Sequence, residues 1–401
     1  MKRILCICLI CLMLCGCGDN KTDDVSKLKN VPDKYNIIAN ENIFNVFDTI
    51  KVSDFLKVYE GKILNNKELE LESIGKFSYS IELEIDDNKY KYDVNYEVKD
   101  VTNPIFISAP QTKTIEKNQA YIPCDSISFA DDYDSSPDCN IEGEYDLTKI
   151  GTYNLKFVIT DESGNENKKN FTLKVVDKLP STSTTQSKPI RFDFKDIINT
   201  YKNEDTMVGI DVSKWQGDID FNKVRDAGAE FVMMRIGVTS KPDGEIYEDK
   251  YYSQNIKNAK AAGLKVGVYF YSSATSVEDA IRHAKWIIET LDGESLDFPI
   301  AYDWENWSKF SKYEMSIHNF NKNFEEFAKV IEDAGYEVML YSSKFYLETI
   351  WQNKNNHKVW LAHYTSNTNY EGNFIMWQRA NTGRIDGING DVDINIFYKN
   401  K

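Results

Sequence analysis

The chain has 401 residues, of which 28% are charged and 41% hydrophobic, with a formal net charge of −15. That length predicts more than one domain, and the composition is that of globular material. An acidic chain without a basic run excludes nucleic-acid binding through phosphate contacts.

The leader MKRILCICLICLMLCGC sets Lys2 and Arg3 before an apolar stretch and small residues. This is the pattern of a secretory signal, too short to span a bilayer as a permanent helix. Leu14-Cys15-Gly16-Cys17 resembles a bacterial lipobox, although Cys15 is unusual two positions before the modified cysteine. The resemblance implies a lipoprotein signal peptide over 1–17, lipidation of Cys17 and an anchor in the membrane. A plain signal peptide or an uncleaved anchor is the alternative. Residues 18–34 are polar and aperiodic, and read as a tether.

Five of the seven cysteines lie in the leader, leaving Cys124 and Cys139. In an exported protein this pair can close a disulfide, with two free thiols as the alternative. The C-terminal half has no cysteine, which excludes a thiol nucleophile there.

A repeat follows over 35–100 and 101–177. Ile74-Gly75 and Ile150-Gly151 each precede an aromatic residue (Phe77, Tyr153), an alternating strand, a polar turn and a second alternating strand. Period-two alternation predicts half-buried strands, and several such strands predict β-sandwiches. The second copy, with TDESGN at 160–165 and KVVD at 174–177, resembles the immunoglobulin-like domains of bacterial surface proteins. The first copy matches less well. Both are expected to act as spacers. DDYDS at 131–135 lacks the glycine and distal glutamate of an EF-hand loop, and reads as a solvated acidic loop. Residues 178–206 begin with KLPSTSTTQSKPI and read as a linker.

From Met207 to Lys401 the pattern changes. MVGIDVS, FVMMRIG, KVGVYFYS, PIAYDWE, VMLYSS, VWLAHY, IMWQRA and VDINIF are eight candidate strands, apolar on both faces, as in a sheet covered by helices. Amphipathic helices are predicted over 249–262, 277–291 and 316–334, with Gly263 and Gly335 as C-caps. The later connections are too short for helices. The expected fold is an irregular TIM-like (β/α) barrel of eight strands and about five helices.

In such a barrel the chemistry sits at the C-terminal ends of the strands. Asp303 and Glu305 end the fourth strand, on one face and ~6.5–7 Å apart. Two close carboxylates raise each other's pKa, so that one is protonated and one ionised near neutrality. Glycoside hydrolysis uses that division. Asp211 ends the first strand and Asp393 lies in the last, so closure would bring four carboxylates to one mouth. Aromatic residues accompany them, among them Trp215, Tyr271, Trp304 and Trp307. Trp304 should point away from its acidic neighbours.

GIDVSKWQGDIDF (209–221), FVMMRIG (231–237), GVYFYS (267–272), AYDWEN (301–306), WLAHY (360–364), MWQ (376–378) and IDGINGDVDINIF (385–397) resemble glycoside hydrolase family 25, the Chalaropsis-type lysozymes, in order and spacing. The resemblance spans 207–401. It implies N-acetylmuramidase activity on peptidoglycan, with Glu305 as general acid. Asp303 would orient the substrate 2-acetamido group or stabilise the transition state. Asp211 and Asp393 would tune the field and place the sugar. Arg235, Tyr269, Trp360, Tyr364 and Trp377 are expected to line the cleft. Phe270 stands where the family often has histidine.

The four histidines (283, 318, 357, 363) show no metal spacing, and no GxSxG elbow or phosphate loop is present. His283 and His318 read as surface residues, and His363 as either cleft or packing. No cofactor or metal is expected, the partners are peptidoglycan strands and a membrane, and the protein is expected to be a monomer facing the cell wall. The competing readings are a catalytically inactive wall-binding protein and a glycosidase of another N-acetylhexosamine polymer.

Overall fold

The computed structural model describes residues 25–180, 190–239, 241, 244–353 and 355–401. Cys17 and the rest of the leader lie outside the described residues. The chain divides into two compact units, with the boundary after Val101.

Among the described residues, the first unit is all β apart from short 3₁₀ turns. Its centre is a long hairpin, Gly75–Ile85 against Asn88–Lys99, paired from Gly75↔Val98 to Ile85↔Asn88. Asp86 and Asp87 turn the hairpin with φ of 48° and 62°. Two consecutive positive φ values define the turn whose twist matches paired strands. Ile43–Asn45 runs parallel to the second strand. Lys29–Asn30, inside the segment expected as tether, pairs with the same strand.

The second unit opens with a similar hairpin, Gly151–Thr160 against Glu166–Val176. Here too a parallel strand, Thr112–Glu116, flanks the second arm. Ile105–Ser108 pairs separately with Ser128–Ala130, and the two sheets enclose Ile115, Phe129, Phe157, Phe171 and Leu173. Cys124 and Cys139 are joined as a disulfide, with Cα atoms 6.0 Å apart.

Three expectations about this region change. The acidic loop is buried, with Asp131 and Asp134 only 1% and 8% exposed. Asp131 Oδ1 accepts from the amides of Tyr133 and Asp134, and Asp134 from those of Ser136 and Glu162; short carboxylates satisfy their own turns this way. The sandwich is not a free spacer, because Ile107 and Ala130 join the core of the barrel. The presumed linker also contributes to the barrel. Phe192–Asp193 pairs with the seventh barrel strand, and helix α1 (Phe194–Tyr201) buries Phe194 and Ile197.

The barrel strands are β1 (Thr206–Val212), β2 (Phe231–Thr239), β3 (Lys265–Ser272), β4 (Ile300–Trp304), β5 (Val338–Ser343), β6 (Lys358–Ala362), β7 (Met376–Arg384) and β8 (Val392–Tyr398). Helices α2 (Phe221–Asp226), α3 (Tyr252–Ala261), α4 (Val277–Leu291), α5 (Ile317–Asp333) and α6 (Lys344–Thr349) fall between them. Ser276 and Ser316 cap α4 and α5, each accepting from the amide three residues on. Gly263 and Gly335 end α3 and α5 with positive φ.

Strands β1 to β7 are parallel, and β8 is antiparallel to both β7 and β1. Only 385–391 joins β7 to β8. A parallel return needs a crossover of about a dozen residues, so a link this short makes a hairpin. The closed sheet has two apolar layers. Phe231, Met233, Met339 and Met376 fill the interior. Val232, Val268, Tyr302, Leu340 and Ile394 pack outward under the helices. Gly209 makes room inside, since a Cβ there would lie 2.4 Å from the carbonyl oxygen of Phe231.

Candidate active site

Alternation along the strands decides which side chains reach the mouth of the barrel. Asp211 and Asp393 are direct partners in the β1–β8 ladder. Asp303 pairs with Tyr271 on one side and Tyr341 on the other. Glu305 follows at the rim, one residue beyond β4. All four carboxylates line one cavity of about 270 Å³, together with Arg235, Tyr269, Trp360, Tyr364 and Gln378.

Asp211 is held by neutral donors. Its Oδ2 accepts from Gln378 Nε2 at 2.9 Å and Asn395 Nδ2 at 2.7 Å. Asn395 Oδ1 in turn accepts from Trp360 Nε1 at 2.8 Å. Gln378 Oε1 accepts the hydroxyls of Tyr341 and Tyr364, at 2.9 and 2.8 Å. This chain fixes the tautomer-free amides and leaves Asp211 a persistent acceptor.

The one arginine of the mouth is already paired. Arg235 donates twice to Asp249 Oδ2, at 2.8 and 2.6 Å, and both residues are buried. The four carboxylates therefore share a cavity without a free cation among its described lining residues. Charge of that density is relieved by retaining protons. Burial pushes Asp211 up to about 6, against the pull of its two amide donors. Burial, then the charges of Asp211 and Glu305, push Asp393 up to about 9. Asp303 lies well above the usual carboxylate range, through burial and then the neighbouring Glu305. Burial also raises Glu305, while hydrogen bonds from Asp303 and Tyr341 lower it.

The sequence expectation makes Glu305 the general acid beside the close carboxylate Asp303. The Asp303–Glu305 hydrogen bond raises Asp303 and lowers Glu305; Asp303 is 4% exposed, whereas Glu305 stands at the rim. Asp393, pushed up to about 9 by burial and its charged neighbours, is shifted further than Asp211.

Glu305 also borders a second groove of about 570 Å³, with Trp307, Phe345, Tyr346, His363 and Tyr364. Tyr341 and Tyr364 border both spaces. The cleft is thus continuous around Glu305, with an acidic well on one side and an aromatic groove on the other. Trp215 stands at the rim of the well, 77% exposed.

The cleft aromatics divide. Tyr269 and Trp360 meet edge to face in the well, 5.9 Å apart. Trp377 does not reach it. Gln378, its neighbour in β7, takes the inward position, so Trp377 faces outward against Tyr201 of α1 and donates to the carbonyl of His363. Trp304 also packs outside, bonded to the carbonyl of Ala274 at 3.0 Å. Phe270 lies against His283 and Trp286, away from the cleft. His283 is 1% exposed rather than a surface residue. His363 borders the groove and bonds Thr368. Gln378, Asn395, Tyr341 and Asp249 were not singled out from the sequence. Gln378 and Asn395 do stand in its MWQ and VDIN motifs, one residue from a tryptophan and two from an aspartate.

The sequence model of Glycosyl hydrolases family 25 matches residues 210–388. The uncharacterised protein YegX of Escherichia coli K12 is 32% identical over 196 residues, which are 48% of this chain and 70% of YegX. An autolytic lysozyme of Clostridium acetobutylicum is 31% identical over 193 residues, 48% of this chain and 56% of that protein. Lysozyme M1 of Streptomyces globisporus is 29% identical over 202 residues, 47% of this chain and 67% of that protein. The chain spans little more than half the length of the clostridial relative.

Proposed function

Because the chain belongs to glycosyl hydrolases family 25, we propose that its barrel is a peptidoglycan muramidase. It would hydrolyse the β-1,4 bond from N-acetylmuramic acid to N-acetylglucosamine. The observation that carries the reading is the convergence of Asp211, Asp303, Glu305 and Asp393 in one well that opens into an aromatic groove. Sugar rings stack on such aromatic walls, and paired carboxylates supply the acid chemistry.

In this reading a glycan strand crosses the rim with the scissile oxygen at Glu305. The proton of the Asp303–Glu305 pair passes through Glu305 to that oxygen as the C–O bond breaks, and a water adds at the anomeric carbon, returning its proton to the pair. Asp303, now charged, faces the 2-acetamido group and the positive charge that develops at the ring. Asp211, fixed by Gln378 and Asn395, adds negative potential from below. Asp393 carries its proton as a donor toward the sugar. Arg235, spent on Asp249, shapes the floor.

The same proposal extends to the rest of the chain. Residues 1–17 would be a lipoprotein signal, with Cys17 lipidated and the enzyme held at the bacterial membrane facing the wall. The two β-rich segments would be immunoglobulin-like. Loss of turbidity of purified peptidoglycan, with the new reducing ends identified by mass spectrometry, tests the activity. Radiolabelled palmitate incorporation, lost in Cys17→Ala, tests the anchor.

A further inference from the structure

The segment that follows Glu305 is held from outside the barrel. Residues 307–312 form a 3₁₀ turn, and Ser316 then caps α5. The sandwich strand Ser128–Ala130 is buried over all three residues, and it lies on that turn. Ser128, 0% exposed, donates from Oγ to the carbonyl of Trp307 at 2.7 Å. The carbonyls of Asp131 and Asp132 accept the amides of Ile317 and His318, at 2.7 and 3.2 Å. These amides belong to the first turn of α5, which has no partners inside its own helix. The sandwich therefore completes the helix N-terminus in place of solvent.

Trp307 passes the constraint on. It packs edge to face on Trp304 of β4, 4.8 Å away, and stacks on Tyr346 at 3.9 Å. It also lines the groove beside Glu305. Glu305 thus sits between the β4 ladder on one side and a docked turn on the other.

We propose that the sandwich is a working part of the active site, with Ser128 and the 131–132 carbonyls positioning Glu305 and the groove wall through the segment 306–318. Ser128 is a positioning residue, acting through Trp307. The inference rests on Glu305 being the acid of the proposed reaction.

The test compares Ser128→Ala with Leu173→Ala in the full chain. Leu173 is 0% exposed in the sandwich core, and its ladder partners are Lys113 and Tyr153 rather than any residue that bonds 307–318, so its variant controls for loss of sandwich stability. Two readouts are taken: the pH profile of kcat on peptidoglycan, and hydrogen exchange of peptides covering 306–318. Ser128→Ala is expected to lower kcat about 3–10-fold, shift the limb of the profile set by the Asp303–Glu305 pair, and speed exchange in 306–318. Leu173→Ala is expected to leave the profile and that exchange unchanged below its unfolding temperature. Equal effects in both variants, or no effect of Ser128→Ala on either readout, overturn the proposal. Exchange reads the docking whether or not the chain cleaves peptidoglycan. A silent wild type with accelerated exchange in Ser128→Ala therefore condemns the reaction and keeps the clamp.

Discussion

Asp211 and Asp393 face each other directly across the ladder that closes the barrel, yet their carboxyls titrate apart, at about 6 and about 9. The difference lies in their donors and in the neighbouring charges that act on Asp393. Asp211 accepts two side-chain amides, whereas only a backbone amide opposes burial at Asp393. Near pH 7 one is mostly charged and the other neutral, so a pair that would repel becomes acceptor and donor.

That proton makes stability depend on pH in a definite direction. Asp393 binds its proton more tightly folded than unfolded, where carboxylates titrate near 4. Its contribution is intact at pH 4 and is lost as pH rises towards 9. Asp393→Asn removes this slope. Thermal unfolding should show the variant about 2 °C or more above wild type at pH 8 and level with it at pH 4. An equal gap at both pH values contradicts the assignment.

Gln378 sets the charge on Asp211. In Gln378→Leu, Asp211 loses a donor that favours its ionised form, and the hydroxyls of Tyr341 and Tyr364 lose their acceptor. The pKa of Asp211 should rise, carrying the acid limb of the activity profile to higher pH. The value of kcat/KM should fall about 10-fold or more, by roughly 1.4 kcal/mol of lost transition-state stabilisation. An unmoved acid limb would show that Asp211 is not the group being titrated.

Trp360 and Trp377 separate cleft from core. Trp360→Phe removes the donor to Asn395 and should lower kcat while leaving the fold intact. Trp377→Ala, at a buried outward position, should cost about 3–5 kcal/mol of stability. The surviving folded fraction should keep its KM. Paired denaturant titrations and steady-state kinetics read both.

The disulfide closes a loop with a sequence separation of 15, which the chain-entropy account values at about 3 kcal/mol. Cys124→Ser/Cys139→Ser should lower the unfolding temperature of the sandwich. Because that domain docks on the barrel, activity near the new transition should fall with it. A variant whose activity outlasts sandwich unfolding would separate the two domains functionally.

The barrel was legible in the sequence because its strands are apolar on both faces and stand out as runs. The acids were legible because three stand at the ends of the first and fourth strands and one lies in the strand that closes the barrel. The remaining features lack such a signature. Gln378 and Asn395 are neutral amides, marked only by their place beside Trp377 and Asp393. The alternation that makes Gln378 inward is the same one that turns Trp377 outward, and a single register step decides both. Asp249 meets Arg235 through a loop whose path no periodicity describes. The docking strand Ser-Phe-Ala is too short to carry a pattern, and its serine is buried only because a barrel carbonyl awaits it.

The proposed reaction turns on Glu305 delivering a proton to a muramyl glycosidic oxygen. The most direct measurement digests purified peptidoglycan with wild type and Glu305→Gln, identifying the new reducing ends by mass spectrometry. Wild type is expected to release fragments ending in N-acetylmuramic acid, and Glu305→Gln to lose about 100-fold or more in kcat while still binding the polymer. Reducing ends of N-acetylglucosamine, or undiminished cleavage by Glu305→Gln, would contradict it.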